Sequence, residues 1–587
     1  MRFGRISKAV GVAAVAALAL SACAGNTGTT PTSAAAGKQG GSATVVEVNA
    51  FSSFNQGSAD GNSDINGNIS YITHSGFYYV DNKLNVVHND KFGKYEKVSD
   101  DPLTVKYTVN EGVKWSDGEA IDAGDLLLSW AANSGYYDDA DAEAKTGTTY
   151  FTTAADTSGL NLTEFPEVGD DGRSITLKYA KPYADWEIAF DMDLPAHVVA
   201  KKGGLADEKA LIDLLKKTPR GDAKAPKVNA ELKKVADFWN HGFDTKTLPS
   251  DPSLFLSSGP YIVKSIEQDA SMTLVKNKDY TWGPEAHLDE ITIRYIGSAP
   301  AAVQALKNGE ADVIAPQPSA DTLEQLKALE SQGMTTESYG ELAYDHLDLN
   351  FSGPFKDKKV REAFMKTVPR QDIVDKIVKK LDPNSKPLDS ELFLPSQAKY
   401  ADSVKNNGSA NYASVDIAGA KELLAGATPE IRIMYNKDNP NRVDAFSLVR
   451  ESATKAGFKI VDGGLGASDW SGHLGDGSYD ATIFGWINSG VGVSGVPQIF
   501  KSTGGSNFNG FKSAEADKLM DELIVTTDKG KQDDLTAQID KHIWDEAYGV
   551  PLFQTVGVAA FSDRITGVKS SPGQRGVWWN VWDWQVK

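Results

Sequence analysis

Between residues 105 and 130 the periodicity of the chain changes. Val105, Tyr107 and Val109 alternate with Lys106 and Thr108, the two-residue repeat of a strand with one buried face. Glu111-Gly112 breaks that run, and Ser116-Asp117-Gly118 is turn chemistry, with glycine supplying a positive φ. Asp122 then stands where a helix cap belongs, with Asp125 three residues on as an echo of a capping box, before Leu126-Leu127-Leu128-Ser129-Trp130. The pattern predicts strand, tight turn and capped helix.

The same reading predicts strands over 43–50, 174–179 and 272–275, and helices over 206–217 and 230–240. Residues 301–314 read as a helix, a stop at Gly309 and a strand. Segments 431–435 and 458–461 flank a helical stretch over 442–455, which predicts a β-α-β unit. Residues 480–486 read as a buried strand ending on an aromatic residue. A polar, glycine-rich loop is expected over 51–68, an aromatic, helical or mixed passage over 69–80, and an acidic surface loop over 138–159. That last loop has no calcium-binding register of Asp, Asn and Gly.

At 587 residues the chain is too long for one hydrophobic core, so several domains or lobes are expected. Its net charge of −19 disfavours nucleic acid and anionic membrane surfaces as partners. No cofactor is expected. The eight histidines show no HExxH or paired metal spacing, although a metal or heme ligand held through one histidine stays open. No G-x-S-x-G elbow appears, so an enzyme is not expected, while a glycosidase-type carboxylate pair is not excluded by sequence.

The N-terminus changes the picture most. Arg2, Arg5 and Lys8 precede a short apolar run over 9–20, a secretory signal too short to span a bilayer. It ends in Leu20-Ser21-Ala22-Cys23, which resembles the bacterial lipobox and implies cleavage after residue 22 and diacylglycerol attachment at Cys23. Cys23 is the sole cysteine, so no disulfide forms within the chain. Residues 23–42 read as a flexible, lipid-anchored tether, and the expected location is extracytoplasmic, on the cell membrane.

Gly112-Val113-Lys114-Trp115-Ser116-Asp117-Gly118, Ser258-Gly259-Pro260-Tyr261, the block 276–280, and Asn350 with Pro354-Phe355, Asp357 and Val360-Arg361-Glu362-Ala363 resemble the family 5 solute-binding proteins of ABC importers. These are the oligopeptide- and dipeptide-binding group. The likeness recurs from about residue 45 to 555 and lapses at Pro369-Arg370, where the family usually has an acid before the arginine. It implies an α/β, type II periplasmic-binding-protein-like fold of the large three-region class, with two lobes, a hinge and an extra subdomain. The implied division is 1–22 signal peptide, 23–42 tether, 43–75, 254–345 and 550–587 lobe I, 76–253 extra subdomain, and 346–549 lobe II. The implied partners are a small-molecule or peptide ligand and an ABC permease pair with its ATPases, and a monomer is expected.

The resemblance also suggests where the ligand sits. The strand 480–486 delivers Gly485 and Trp486 to the cleft, followed by Asn488 and Ser489. Ser489 stands where peptide binders carry an amino-group-binding aspartate; Asp469 or Asp476 could substitute. Asp469-Trp470 resembles the family's acid–Trp pair, and Phe51, Phe54 and Asn55 are candidates from the opposite lobe. Each of these aromatics also suits plain packing. The glycine-rich loop 490–495 lacks the Gly-Lys-Ser/Thr of a phosphate cradle. An oligopeptide is the leading ligand, with an oligosaccharide or metal chelate as alternatives.

Overall fold

The computed structural model describes residues 39–141, 146–487 and 490–587. Cys23, Asn488 and Ser489 therefore lie outside the described residues. A mixed sheet of ten strands runs through the body, in the order Lys459–Leu465, Glu430–Asn436, Ala481–Ile487, Thr335–Leu349, Gly549–Phe561, Val313–Ile314, Ser42–Glu47, Glu290–Tyr295, Ser271–Lys276, Tyr261–Glu267.

Two of these strands serve both halves of the molecule. Thr335–Leu349 and Gly549–Phe561 pair antiparallel, Thr335 opposite Phe561 and Asp348 opposite Gly549, with a wide slip in register between Gly340 and Tyr344 and a one-residue slip between Asp345 and His346. On one side of the wide slip Phe561 pairs with Val313; on the other, Tyr344 pairs with Trp486. The halves are thus joined by a pair of strands whose ladder is broken at two points, the wider break between Gly340 and Tyr344, and a broken ladder bends more readily than a continuous one. Side chains bridge the wider break: Gln554 Nε2 donates to the Glu341 carbonyl at 2.7 Å and Thr555 Oγ1 to that of Ala343 at 3.0 Å.

The larger half carries a second sheet, Gly93–Asp100, Leu103–Val109, Ser174–Lys178 and Glu167–Val168. The strand-turn-helix of residues 105–130 is here. Leu103, Val105, Tyr107 and Val109 are buried and their neighbours are not. Asp122 accepts from the Gly124 amide at 2.6 Å, and Asp125 accepts from the Asp122 amide at 3.0 Å, closing the capping box of helix Ala123–Ser134. Asp125 also accepts from Trp115 Nε1 at 3.3 Å and from the Ala196 amide at 2.8 Å. One carboxylate therefore ties the turn, the helix and the segment 196–202 together. Burial nevertheless pushes it up to about 7.

In the smaller half, Glu430–Asn436, Pro440–Ala456 and Lys459–Leu465 form the expected β-α-β unit, its strands parallel with Glu430 opposite Lys459. Two expectations are corrected. The passage 51–68 is not all loop: the helix Asp64–Thr73 begins inside it, with the Ser63 side chain accepting from the Asn66 amide as a cap. The acidic passage 138–159 is not merely surface, because Tyr150 and Phe151 are buried and Thr153 bridges to Ser58. Its polar composition hides two aromatic anchors. No helix among the described residues is long and apolar enough to cross a membrane.

Candidate functional site

The strand Ala481–Ile487 is buried over its first four residues and emerges at Gly485-Trp486-Ile487. Its end opens on a cavity of about 530 Å³ whose wall draws on both halves of the molecule. Tyr344, Trp486, Glu391 and Val493 come from the smaller half and the joining strand, Ala154–Asp156 from the larger half, and Gln574 from the C-terminal segment. Among the described residues of this wall there is no lysine, arginine or histidine.

Trp486 is held as one layer of an aromatic stack. Its ring lies nearly parallel to His346, centroids 6.1 Å apart, and to Phe508, 6.0 Å apart. His346 is buried, and its Nδ1 is 2.6 Å from Asp348 Oδ1. The Trp486 Nε1–H is buried without an acceptor. Tyr344, opposite Trp486 in the ladder, donates its hydroxyl to the Glu391 carbonyl at 2.9 Å. The Ser390 Oγ accepts from the amides of Leu392 and Phe393 at 3.2 and 2.9 Å, which shapes the segment that presents Glu391. Burial first, then Asp348 and Asp540, pushes the Glu391 carboxyl well above the usual carboxylate range.

The two halves also touch beside this cavity. The Asp185 carboxylate accepts from the amides of Val493 and Ser494 at 2.8–2.9 Å. The Ala184 amide donates to the Ile524 carbonyl at 2.8 Å.

This assembly, with two α/β halves on a shared sheet, a paired-strand joint and a cavity where they meet, agrees with the family match. The family described as "Bacterial extracellular solute-binding proteins, family 5 Middle" matches residues 92–508. The chain is a family 5 solute-binding protein. Among its relatives is an uncharacterized lipoprotein of Mycobacterium tuberculosis, 25% identical over 527 residues and covering 88% of this chain and 87% of that one. The oligopeptide-binding protein OppA of the same organism is 25% identical over 494 residues, covering 82% and 74%. Solved structures share the fold. A periplasmic EDTA-binding protein, EppA, superposes with a TM-score of 0.79 at 22% identity, over 94% of this chain and 97% of that one. The oligopeptide-binding protein AppA of Bacillus subtilis, solved with a nonapeptide, gives 0.69 at 20% identity, over 94% and 100%. Type II periplasmic binding proteins of family 5 thus share its architecture, and the family works with ABC permeases.

For this family 5 chain, the sequence-derived candidates separate. Trp486 lines the cavity. Trp470 lies under the Arg442 guanidinium, 5.5 Å from its ring, and 6.1 Å from Phe484, in the same small apolar cluster as Trp486. Gly485 makes room for Asp345: a Cβ there would meet Asp345 Oδ1 at 2.6 Å, and Asp345 pairs with Arg442 at 3.2 Å. Phe51 and Phe54 pack against each other, 4.6 Å apart, inside the core of the larger half. Asn55 donates to the Trp239 carbonyl at 2.6 Å and accepts from Gly57 and Ser58, so it shapes its own loop. Their neighbour Gln56 lines two further cavities, of about 350 and 340 Å³, beside Asp191 and Asp193. Tyr344, Glu391 and Ala154–Asp156 were not singled out from sequence. The available signal for Glu391 was an acid directly before the apolar run Leu392-Phe393-Leu394.

Proposed function

We propose that this family 5 protein is an extracytoplasmic substrate-binding lipoprotein, anchored through Cys23, that captures a short peptide between two lobes and delivers it to an ABC permease. The observation that carries this reading is the cavity of about 530 Å³ walled by both halves and faced by Tyr344 and Trp486. Its size lies in the range of small-ligand sites, and its mixture of aromatic rings with sparse polar groups suits peptide backbone and side chains. Among its described residues the wall has no basic side chain to offer counter-charge to a polyanionic chelate, so the chelate alternative is disfavoured. The relative named OppA supports the peptide class. Binding, not turnover, is the expected activity.

In this reading ligand touches both lobes and so favours the closed arrangement over the open one. The hinge lies at the register slip between Gly340 and Tyr344. Residues 43–75, 254–345 and 550–587 form lobe I, 76–253 the extra subdomain and 346–549 lobe II, and the protein acts as a monomer. The test is native mass spectrometry of the full chain in mild detergent, followed by denaturation to identify what co-purifies. A ladder of short-peptide masses is expected. A discrete sugar or chelate mass would refute the peptide assignment and leave the importer role intact. Cys23→Ser should move the protein from the membrane to the soluble fraction; unchanged partition would refute the anchor.

A further inference from the structure

A cavity of about 340 Å³ is walled only by the larger half and by the C-terminal segment packed into its core. It shares no lining residue with the cavity between the halves, so its shape does not depend on their closure. Much of the wall is aromatic. The Trp582 ring lies 5.8 Å from that of Tyr71 and 5.1 Å from that of Tyr79, centroid to centroid. The Tyr71 hydroxyl donates to the Trp579 carbonyl at 2.7 Å and the Tyr78 hydroxyl to the Ile188 carbonyl at 3.1 Å, so both are committed to the protein. Arg575 is the only lysine or arginine among the described residues of this wall.

Arg575 is a cation without a hydrogen-bond partner. It donates to no acceptor and joins no ion pair among the described residues. Its guanidinium lies over the Tyr71 ring, 5.4 Å from the centroid. Its nitrogens are not sealed in: the unpaired Nε of Arg370 is closed to solvent, and no nitrogen of Arg575 is. The helix Asp64–Thr73 makes room for it. Gly67 and Tyr71 stand one turn apart on the same face, and a Cβ on Gly67 would meet Arg575 Nη1 at 2.6 Å. Two acids, Asp191 and Asp193, line the same cavity, and burial pushes them up to about 7 and about 6. Neither acts on Arg575, whose charged neighbours are Tyr71 and Asp64, so the cation and the acids occupy different ends. An oxyanion at the Arg575 end gains charge-assisted hydrogen bonds from a planar fork of donors. A flat body attached to it meets ring surfaces.

We propose that Arg575 is the anion-binding residue of a second ligand site, held within the larger half, that takes a small aromatic carboxylate. The carboxylate sits on the guanidinium, and the ring packs against Tyr79 and Trp582. Because every wall of this site belongs to one half, its occupant makes the same contacts in the open and the closed arrangement. Such a ligand biases neither state. The site therefore fills independently of ligand capture between the halves, and its occupancy leaves that capture unchanged.

The test uses the full chain in mild detergent, cleared of bound ligand by partial unfolding and refolding. The probes share one shape and differ in charge: benzoate, neutral benzamide and cationic benzylamine. Calorimetric titration should show benzoate binding roughly tenfold more tightly than benzamide, with benzylamine weakest. Arg575→Gln should bind benzoate and benzamide alike, at the weaker level, and Arg575→Lys should regain part of the difference. Gly67→Ala keeps the charge but displaces the guanidinium, so it should also lower benzoate affinity. Its melting temperature should not fall, because alanine suits a helix better than glycine, and this readout needs no change at Arg575. Asp185→Ala should leave benzoate affinity as it is. Equal affinity for benzoate and benzamide, tighter binding of benzylamine, or no binding of any probe overturns the proposal. Benzoate affinity lost with Asp185→Ala would move the anion to the cavity between the halves and overturns it as well.

Discussion

Asp185 and Val493, 308 residues apart in sequence, are joined where the two halves meet: both carboxylate oxygens of Asp185 lie within 2.9 Å of the Val493 amide nitrogen. The Ser494 amide adds a third contact at 2.8 Å. Asp185 is buried, and Tyr183 beside it packs into the core of the larger half, while Val493 and Val496 pack against a core of the smaller. The bonds therefore close one half against the other without belonging to either core.

Hydrogen bonds to a charged group are worth about 1.5–3 kcal/mol. Asp185→Ala should weaken ligand binding by roughly tenfold to a hundredfold, mostly through faster dissociation, because the clasp holds the two halves together around the cavity. Stopped-flow release of bound peptide measures this. An unchanged off-rate would show that the clasp plays no part in closure.

Gly492 explains why the loop 490–495 is rich in glycine. Its φ is +91°, and a Cβ there would lie 2.7 Å from Asp185 Oδ2. Gly492→Ala should therefore loosen the clasp as Asp185→Ala does, by a clash added to backbone strain of about 1 kcal/mol. In an Asp185→Ala background the contact with the carboxylate is gone while that with Ile188 Cδ1 at 2.8 Å remains, so the second substitution should cost less than it does in the wild type. A double-mutant cycle on ligand affinity reads the difference, and strict additivity of the two changes would be the refuting result.

Trp486 combines packing and contact, and two substitutions separate these roles. Trp486→Ala removes a layer between His346 and Phe508 and should destabilise the smaller half by about 3–5 kcal/mol if fully buried, less here because the ring is partly exposed. Trp486→Phe keeps an aromatic layer, removes the unpaired Nε1–H and should cost about 1 kcal/mol of stability at most. Its ligand affinity should still fall several-fold. Retained affinity alongside retained stability would mean the indole only packs.

What could be read from the sequence was local. The capping box is made by Asp122 and Asp125, three residues apart, and the burial of Val105, Tyr107 and Val109 follows from their alternation. The β-α-β unit over 430–465 likewise follows from period and length. The site was less legible. Trp486 was reached through a family resemblance, but the condition of Glu391 depends on Tyr344, 47 residues away, and Asp540, 149 away. Phe51 and Phe54 show the converse difficulty. An aromatic residue in a polar loop can face a cleft or anchor the loop in a core, and only the packing around it, here Phe255 and the larger core, distinguishes the two. The passage 138–159 looked like a solvated loop because its acids outnumber its anchors, Tyr150 and Phe151.

Asp125 gives a pH dependence whose sign can be worked out. Its folded value is about 7 because burial outweighs the bonds from Ala196, Asp122 and Trp115, whereas an unfolded aspartate titrates near 3.9. Between those two values the folded state holds a proton that the unfolded state has lost, so stability falls as pH rises from about 4 to about 7. Each tenfold change in proton affinity is worth about 1.4 kcal/mol, which bounds the loss at about 4 kcal/mol. Glu208, pushed up to about 9 by burial and by its contact with Asp122, extends the same slope to higher pH. Asp125→Asn resembles the protonated acid in shape and cannot ionise. It should melt near the wild-type temperature at pH 5 and above it at pH 8, measured by calorimetry across that range. Parallel melting profiles for the two proteins would mean that Asp125 is ionised in the fold throughout, and that its three donors, not its burial, set its charge.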